Sequence, residues 1–452
     1  MKRGKLILSL SLMCLAIAVL CFGVLAATSV TYTISGTISY EVSDVFVKIN
    51  TRVFGVTAQQ DKATVIANVK TLETKALNSI ADSTYKLSQK MDEYDSTSAD
   101  TGSATGIDLT YGGTKGYYTY YIVINIQNLS ASKAVDAIIT DNTTAELNSI
   151  KTTNLYQNNI TSTETKNIVI AYSIKDKTSS IDSADINYSL KVSYEDTDYT
   201  NPITITNDTT NSYYYVSLGT GKSLDSSGNV TETDTDIKWK LVSLDGVSKY
   251  TYNSSDNFEA RYLSDAVFLQ ETAVNSKIVF NTTNTDDYYD STIRNGITGS
   301  QAALKDGSYF NITNSDVLSF IKEKNLGDIE YWQYHVDYTG SWRYFEKDSS
   351  KEAIKNEDNS KDRFWLMDMD EFEIFVGWEL KEGTNYRGED CKCMIVKEGW
   401  DNGSGKVFEY WLRSAGVGGG YGNSPMLVTS GGIYNFYAHV KQYYVRAAFQ
   451  LA

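Results

Sequence analysis

Hydrophobic and polar positions alternate with a period of two along much of the chain. Within 31–57, Val45, Val47 and Ile49 fall on one face and Phe46, Lys48 and Asn50 on the other, which predicts two strands. Residues 62–94 change period. Val65, Val69, Leu72, Leu77, Ile80 and Leu87 fit a helical stripe. The Gly/Ser/Thr-rich stretch 96–116 reads as loop, and strands return at 117–128, 167–175 and 184–195. A β-sandwich with an inserted helix is the simplest packing of this set. Polar residues around Pro202 predict a linker over 205–212, between a domain at 27–204 and a second at 213–452. Residues 346–362 are charged and lack aromatics, which predicts an exposed insertion.

Residues 1–26 stand apart. Three cations in MKRGK precede the apolar run 6–26, and Val24-Leu25-Ala26 offers a small-residue cleavage site before Ala27. That is the pattern of a secretory signal. The run also matches a bilayer span, so an uncleaved anchor is the alternative, and 6–26 is the single membrane contact expected. Loss of Lys2, Arg3 and Lys5 with the leader would take the net charge from −15 to −18 and leave Cys391 and Cys393 as the remaining thiols. Such low cysteine use in an exported chain suits a Gram-positive-type bacterium, with the protein secreted or held at the cell surface. With 41 Lys+Arg against 56 Asp+Glu, the balance opposes nucleic-acid binding. Two His and four Cys leave few groups for zinc or for a His-based catalytic machine.

The second half carries an ordered set of motifs: DIKWKLV at 236–242, YYDSTIRNGI at 288–297, RFWLMDMDEFEIF at 363–375, YWLRSAG at 410–416 and VRAA at 445–448. This order resembles an uncharacterised family of secreted and phage-encoded bacterial modules, in which W-x-V-L, S-x-I-R, F-L-L-S, W-L-R-S and V-R-P-A follow one another. The resemblance spans roughly 213–452. It implies a C-type-lectin-type fold, like that of formylglycine-generating enzymes and of the variable receptor-binding proteins made by diversity-generating retroelements. In such an α+β module, C-terminal strands and loops present a ligand surface. Two departures are Ala447 where Pro is usual and Asp368 where F-L-L-S has a small residue. The first half is similar to TasA/camelysin-type exported surface proteins, with a long leader, a strand directly after it, and IVINIQNLSASKAVDAI at 122–138. The fold class is therefore mainly β, or α+β.

Individual residues refine this picture. Arg413 and Arg446 sit among Trp411, Leu412, Val445 and Ala447. Arginine does not give up its proton, so both are expected in the core, paired with carboxylates or carbonyls. Trp239, Trp365 and Trp411 are expected core anchors. Asp368, Asp370, Glu371 and Glu373 form an acidic run, read either as a solvated face or as a calcium site, since calcium takes hard oxygens. A disulfide across Cys391-Lys392-Cys393 would be strained. Asp401–Gly405 reads first as a turn. His335 lies in the most aromatic window, 329–345, and no triad order is visible.

Tyr421, Asn423, Tyr434, Asn435, Phe436, Tyr437 and His439 are expected either to line a ligand surface beside the Gly-rich loop 416–424 or to be strand residues of the core. Tyr and Trp give large, rigid contacts at small entropic cost. These observations point to a non-enzymatic, adhesin-like binding protein that recognises a glycan or a protein on a cell surface. Alternatives are a biofilm-matrix or fibre subunit and, more remotely, an oxidase of the formylglycine-generating type.

Overall fold

A computed structural model describes residues 32–452 apart from 43–46, 59, 82–83, 91–93, 96–100, 112–118, 132, 142–148, 152–155, 175–182, 194–202, 284–285, 297–302, 313, 337–342, 358, 385–389, 399, 401–407, 418–422, 430–431, 436 and 440. The leader expected at 1–26 and the turn expected at 401–405 lie outside the described residues. Among the described residues no helix is long and apolar enough to cross a membrane. The chain is mostly β and divides into two compact units, Met1–Tyr199 and Thr200–Ala452.

The first unit contains two sheets. One runs in the order Thr101–Tyr111, Tyr32–Val42, Ser183–Ser193, Val135–Asp141, Tyr156–Ile160, with Tyr32–Val42 parallel to Ser183–Ser193. The other runs Lys86–Lys90, Val47–Val56, Thr119–Asn128, Thr165–Ile174, Ser149–Lys151, with Tyr94–Asp95 also beside Val47–Val56. The two strands expected over 31–57 therefore enter different sheets. Residues 101–111, expected as loop, form a strand. A Gly/Ser/Thr-rich segment has little intrinsic preference, and pairing with Tyr32–Val42 decides its state.

Strand alternation in the second of these sheets buries apolar residues on one face: Val47, Ile49 and Val53, then Ile122, Ile124 and Ile126, then Ile168 and Ile170. The helix Lys62–Thr74 covers part of the other face. Asp61 caps its start by accepting from the Thr64 N–H at 2.7 Å, and Val65, Val69 and Leu72 are buried. The helical stripe expected to 94 stops at Thr74, and 86–90 is a strand with Leu87 exposed. Asn167 supplies the stop: its Nδ2 donates to the Leu72 and Lys75 carbonyls at 2.8 and 2.7 Å. Asn167→Ala should therefore cost about 1–3 kcal/mol and speed amide exchange across 69–75. Unchanged exchange there would show that the cap is unimportant.

In the second unit the central sheet runs Thr206–Asp208, Tyr213–Leu224, Val230–Ser243, Val267–Gln270, Ala447–Gln450, Phe364–Leu366. The expected linker 205–212 thus contributes an edge strand, Thr206–Asp208, which pairs with Tyr213–Tyr215. Trp239 is fully buried against Phe310, Phe364 and Phe449, and its Nε1 donates to the Leu218 carbonyl at 2.8 Å. Gly219 beside it has φ +75°, and a Cβ there would stand 2.4 Å from the Phe310 carbonyl oxygen. A second sheet runs Arg343–Lys347, Tyr331–Val336, Tyr410–Val417, Asn423–Thr429, Gly432–Asn435. The segment 346–362 is only partly the exposed insertion expected. Asn356 is buried and Asp362 has no exposure, because Asp362 is the partner of a buried arginine.

Candidate functional site

The W-L-R-S stretch serves packing. Trp411 donates from Nε1 to the Ile278 carbonyl at 2.9 Å, and the Ser414 hydroxyl accepts from the Met369 N–H at 2.9 Å. Arg413, buried between them, pairs through Nη2 with Asp368 and through Nη1 with Glu371 at 3.1 Å. Lys324 Nζ takes the other Glu371 oxygen at 3.0 Å and lies over the Trp365 ring, whose Nε1 donates to Glu371 at 3.1 Å.

Asp368 and Glu371 also form a capping box at the start of the helix Met369–Phe375. The solvated acidic face expected over 368–373 is therefore borne out for Asp370 and Glu373, which are exposed, and corrected for Asp368 and Glu371. Asp-x-x-Glu ahead of Phe372 and Phe375 is a helix-start signal, and it was legible in the chain. Asp368, Asp370 and Glu371, the carboxylates expected as calcium candidates, each face a cation. Two of these carboxylates hold a guanidinium, and exposed Asp370 lies 3.5 Å from Lys347 Nζ. Among the described residues no three His, Cys, Asp or Glu side chains are grouped to hold a metal ion.

Arg446 is similarly enclosed. Its Nε donates to the Gln270 carbonyl and its Nη1 to the Tyr410 hydroxyl, each at 3.2 Å, and it lies over the Trp400 ring. A cleft of about 590 Å³ nearby is lined by Lys240, Glu271 and Glu398, among others. Its charges answer one another: Lys240 pairs with Glu398, and Arg446 stands 3.5 Å from Glu271.

A larger groove, of about 860 Å³, opens elsewhere on this unit between the loop at 287–295 and the segment 352–361. Carboxylates of Asp287, Asp290, Glu352 and Glu357 line it, interspersed with Arg294, Lys305, Lys355 and Lys361. Tyr289 and Tyr331 also line it but are largely buried, with Arg294 over the Tyr289 ring and Lys351 over the Tyr331 ring. The wall is fixed from behind. Arg294 Nε reaches both Asp362 oxygens at 3.0 and 2.9 Å, and Nη2 adds a 2.7 Å bond to Oδ1. Arg294 Nη1 donates to the Tyr289 carbonyl at 2.9 Å, and the Tyr289 hydroxyl donates to the Gly327 carbonyl. Burial pushes the Tyr289 phenol up to about 12, so it stays a donor. Burial, with Asp290 and Asp286 nearby, pushes the Asp287 carboxyl above its usual range. The motif at 288–297 and the charged segment 346–362 supply most of its lining, but no spacing in the chain brings the two together.

The expected ligand residues are only partly brought together. Tyr421 and Phe436 lie outside the described residues. Asn423, Tyr434 and Asn435 fall on the strands Asn423–Thr429 and Gly432–Asn435. Tyr437 is half-buried and His439 exposed, with ring centroids 6.3 Å apart. His335 stacks on Tyr344 at 4.6 Å on the far side of the same sheet. Cys391 and Cys393 occupy one strand, Asp390–Val396, opposite Gly383 and Lys381. No family model matches the chain, and neither any curated protein nor any solved structure does.

Proposed function

We propose that the chain is an exported bacterial surface or extracellular binding protein, non-enzymatic, whose second unit takes up a cell-surface glycan. The observation that carries this reading is the open groove at 287–361, where both signs of charge, amides and two tyrosines alternate. Sugar hydroxyls both donate and accept, so such a wall suits them. The leader pattern at 1–26 supports export. In this reading the first unit's two sheets form a β-sandwich, and the second unit has a C-type-lectin-like arrangement.

The test is binding of the full chain to a glycan array and to intact cells, with calcium and then with chelator. Calcium-independent, saturable binding is expected. The double variant Asp290→Asn/Glu352→Gln, both at exposed positions, should weaken it at least about 10-fold. Loss through His439→Ala instead would move the site to the C-terminal strands. Binding to cells stripped of glycans would indicate a protein partner, and turnover of any glycan would overturn the non-enzymatic reading.

A further inference from the structure

The first unit holds a site that neither its motifs nor the groove accounts for. It arises from one sheet face that changes character along its strands. Under the helix Lys62–Thr74 this face is apolar, with Phe54 in register with Tyr121, and Tyr121 with Ala171. Two, four and six residues before Phe54, the same face carries Arg52, Asn50 and Lys48. Asn125 stands in register with Asn50, and Asn167 with Asn125. The helix ends where the change occurs, leaving a cleft of about 590 Å³ lined by these residues and by Glu73, Lys75 and Asn78.

Arg52 is the feature that needs an explanation. Its Nε is buried and has no hydrogen-bond partner, and no described side chain forms an ion pair with its guanidinium. In backbone register Arg52 stands opposite Lys90, and Lys48 opposite Asp95. The helix C-terminus does not require this cation, because Asn167 already donates to the Leu72 and Lys75 carbonyls. A buried, unanswered N–H on a guanidinium is costly in any fold, and in a chain of net charge −15 acidic partners are plentiful.

We infer that this cleft is an oxyanion-binding site. Arg52 provides the planar fork that matches a carboxylate or phosphate, and Asn50 and Asn78 contact the polar body that carries it. The site is independent of the groove in the second unit.

The test is calorimetric titration of the full chain with glucuronate and, separately, with inorganic phosphate. Neutral glucose and NaCl at matched ionic strength serve as controls. Saturable heat with at least one anion and none with glucose is expected. Glucuronate alone would assign a sugar acid, and phosphate alone a phosphorylated ligand. Arg52→Gln should weaken binding at least 10-fold, and Arg52→Lys, a point charge without the fork, should be intermediate. Without ligand, Arg52→Gln should melt at or above the wild-type temperature, because the arginine has no ion-pair partner among the described residues. A ligand-free variant that melts several degrees lower would reveal a structural partner and overturn the inference. So would wild-type protein silent to both anions, or Arg52→Gln titrating as wild type does.

Discussion

Arg413→Met is expected to destabilise the second unit by about 3–5 kcal/mol, because it leaves Asp368 and Glu371 buried without their cation. All seven Trp lie between 239 and 411, so tryptophan emission during urea unfolding reads this unit separately from the first. The triple variant Arg413→Met/Asp368→Asn/Glu371→Gln should recover much of the loss. It removes all three charges while keeping side chains able to serve in the capping box. A single-variant loss below about 1 kcal/mol would show that the network contributes little.

The same network sets a pH dependence. Burial works to raise Glu371, but Arg413 and then Lys324 outweigh it and hold its carboxyl at about 2. Burial pushes Asp368 the other way, as two carboxylates beside one guanidinium titrate together. A depressed carboxyl contributes stability that is full above its ordinary value of 4.5 and is lost as pH falls from there toward 2. The acid slope of the melting temperature between pH 4.5 and 2 should therefore be shallower in Glu371→Gln than in wild type. Equal slopes would place the acid sensitivity elsewhere.

Asp362→Ala is the second large effect, again about 3–5 kcal/mol by tryptophan-monitored unfolding, because it strands the buried Arg294 guanidinium. Asp362 also ties the end of the charged segment to the wall of the groove, since Arg294, Ser360 and Lys361 all line it. Ligand binding should fall with stability. Asp362→Ala/Arg294→Met should regain part of the stability but not the binding, since Arg294 itself forms part of the wall. Full binding by a stable Asp362→Ala chain would separate the groove from this ion pair.

Several elements were readable before any fold was known. Period-two alternation located Val47–Val56, Thr119–Asn128, Thr165–Ile174 and Ser183–Ser193, because a half-buried strand must repeat its apolar positions every second residue. Arginines flanked by Trp411 and Val445 were read as paired core residues from side-chain chemistry, since a permanent charge among apolar neighbours must be answered. Local rules misjudged 86–90 and 101–111, whose states depend on partners far along the chain. They also miss the Asp-x-x-Glu cap at 368–371 that starts the helix Met369–Phe375.

Which carboxylate meets which guanidinium belongs to another level. Arg413 with Asp368 and Glu371, and Arg294 with Asp362, join positions more than forty residues apart. The placing of Arg52, with no ion-pair partner among the described residues, is equally invisible along the chain, for it follows from where one helix stops on one sheet face. Alternation and charge type are properties of neighbours in sequence, and they determined the strands and the demand for partners. The partners and the clefts between them are set by packing, which brings together groups that no local spacing relates.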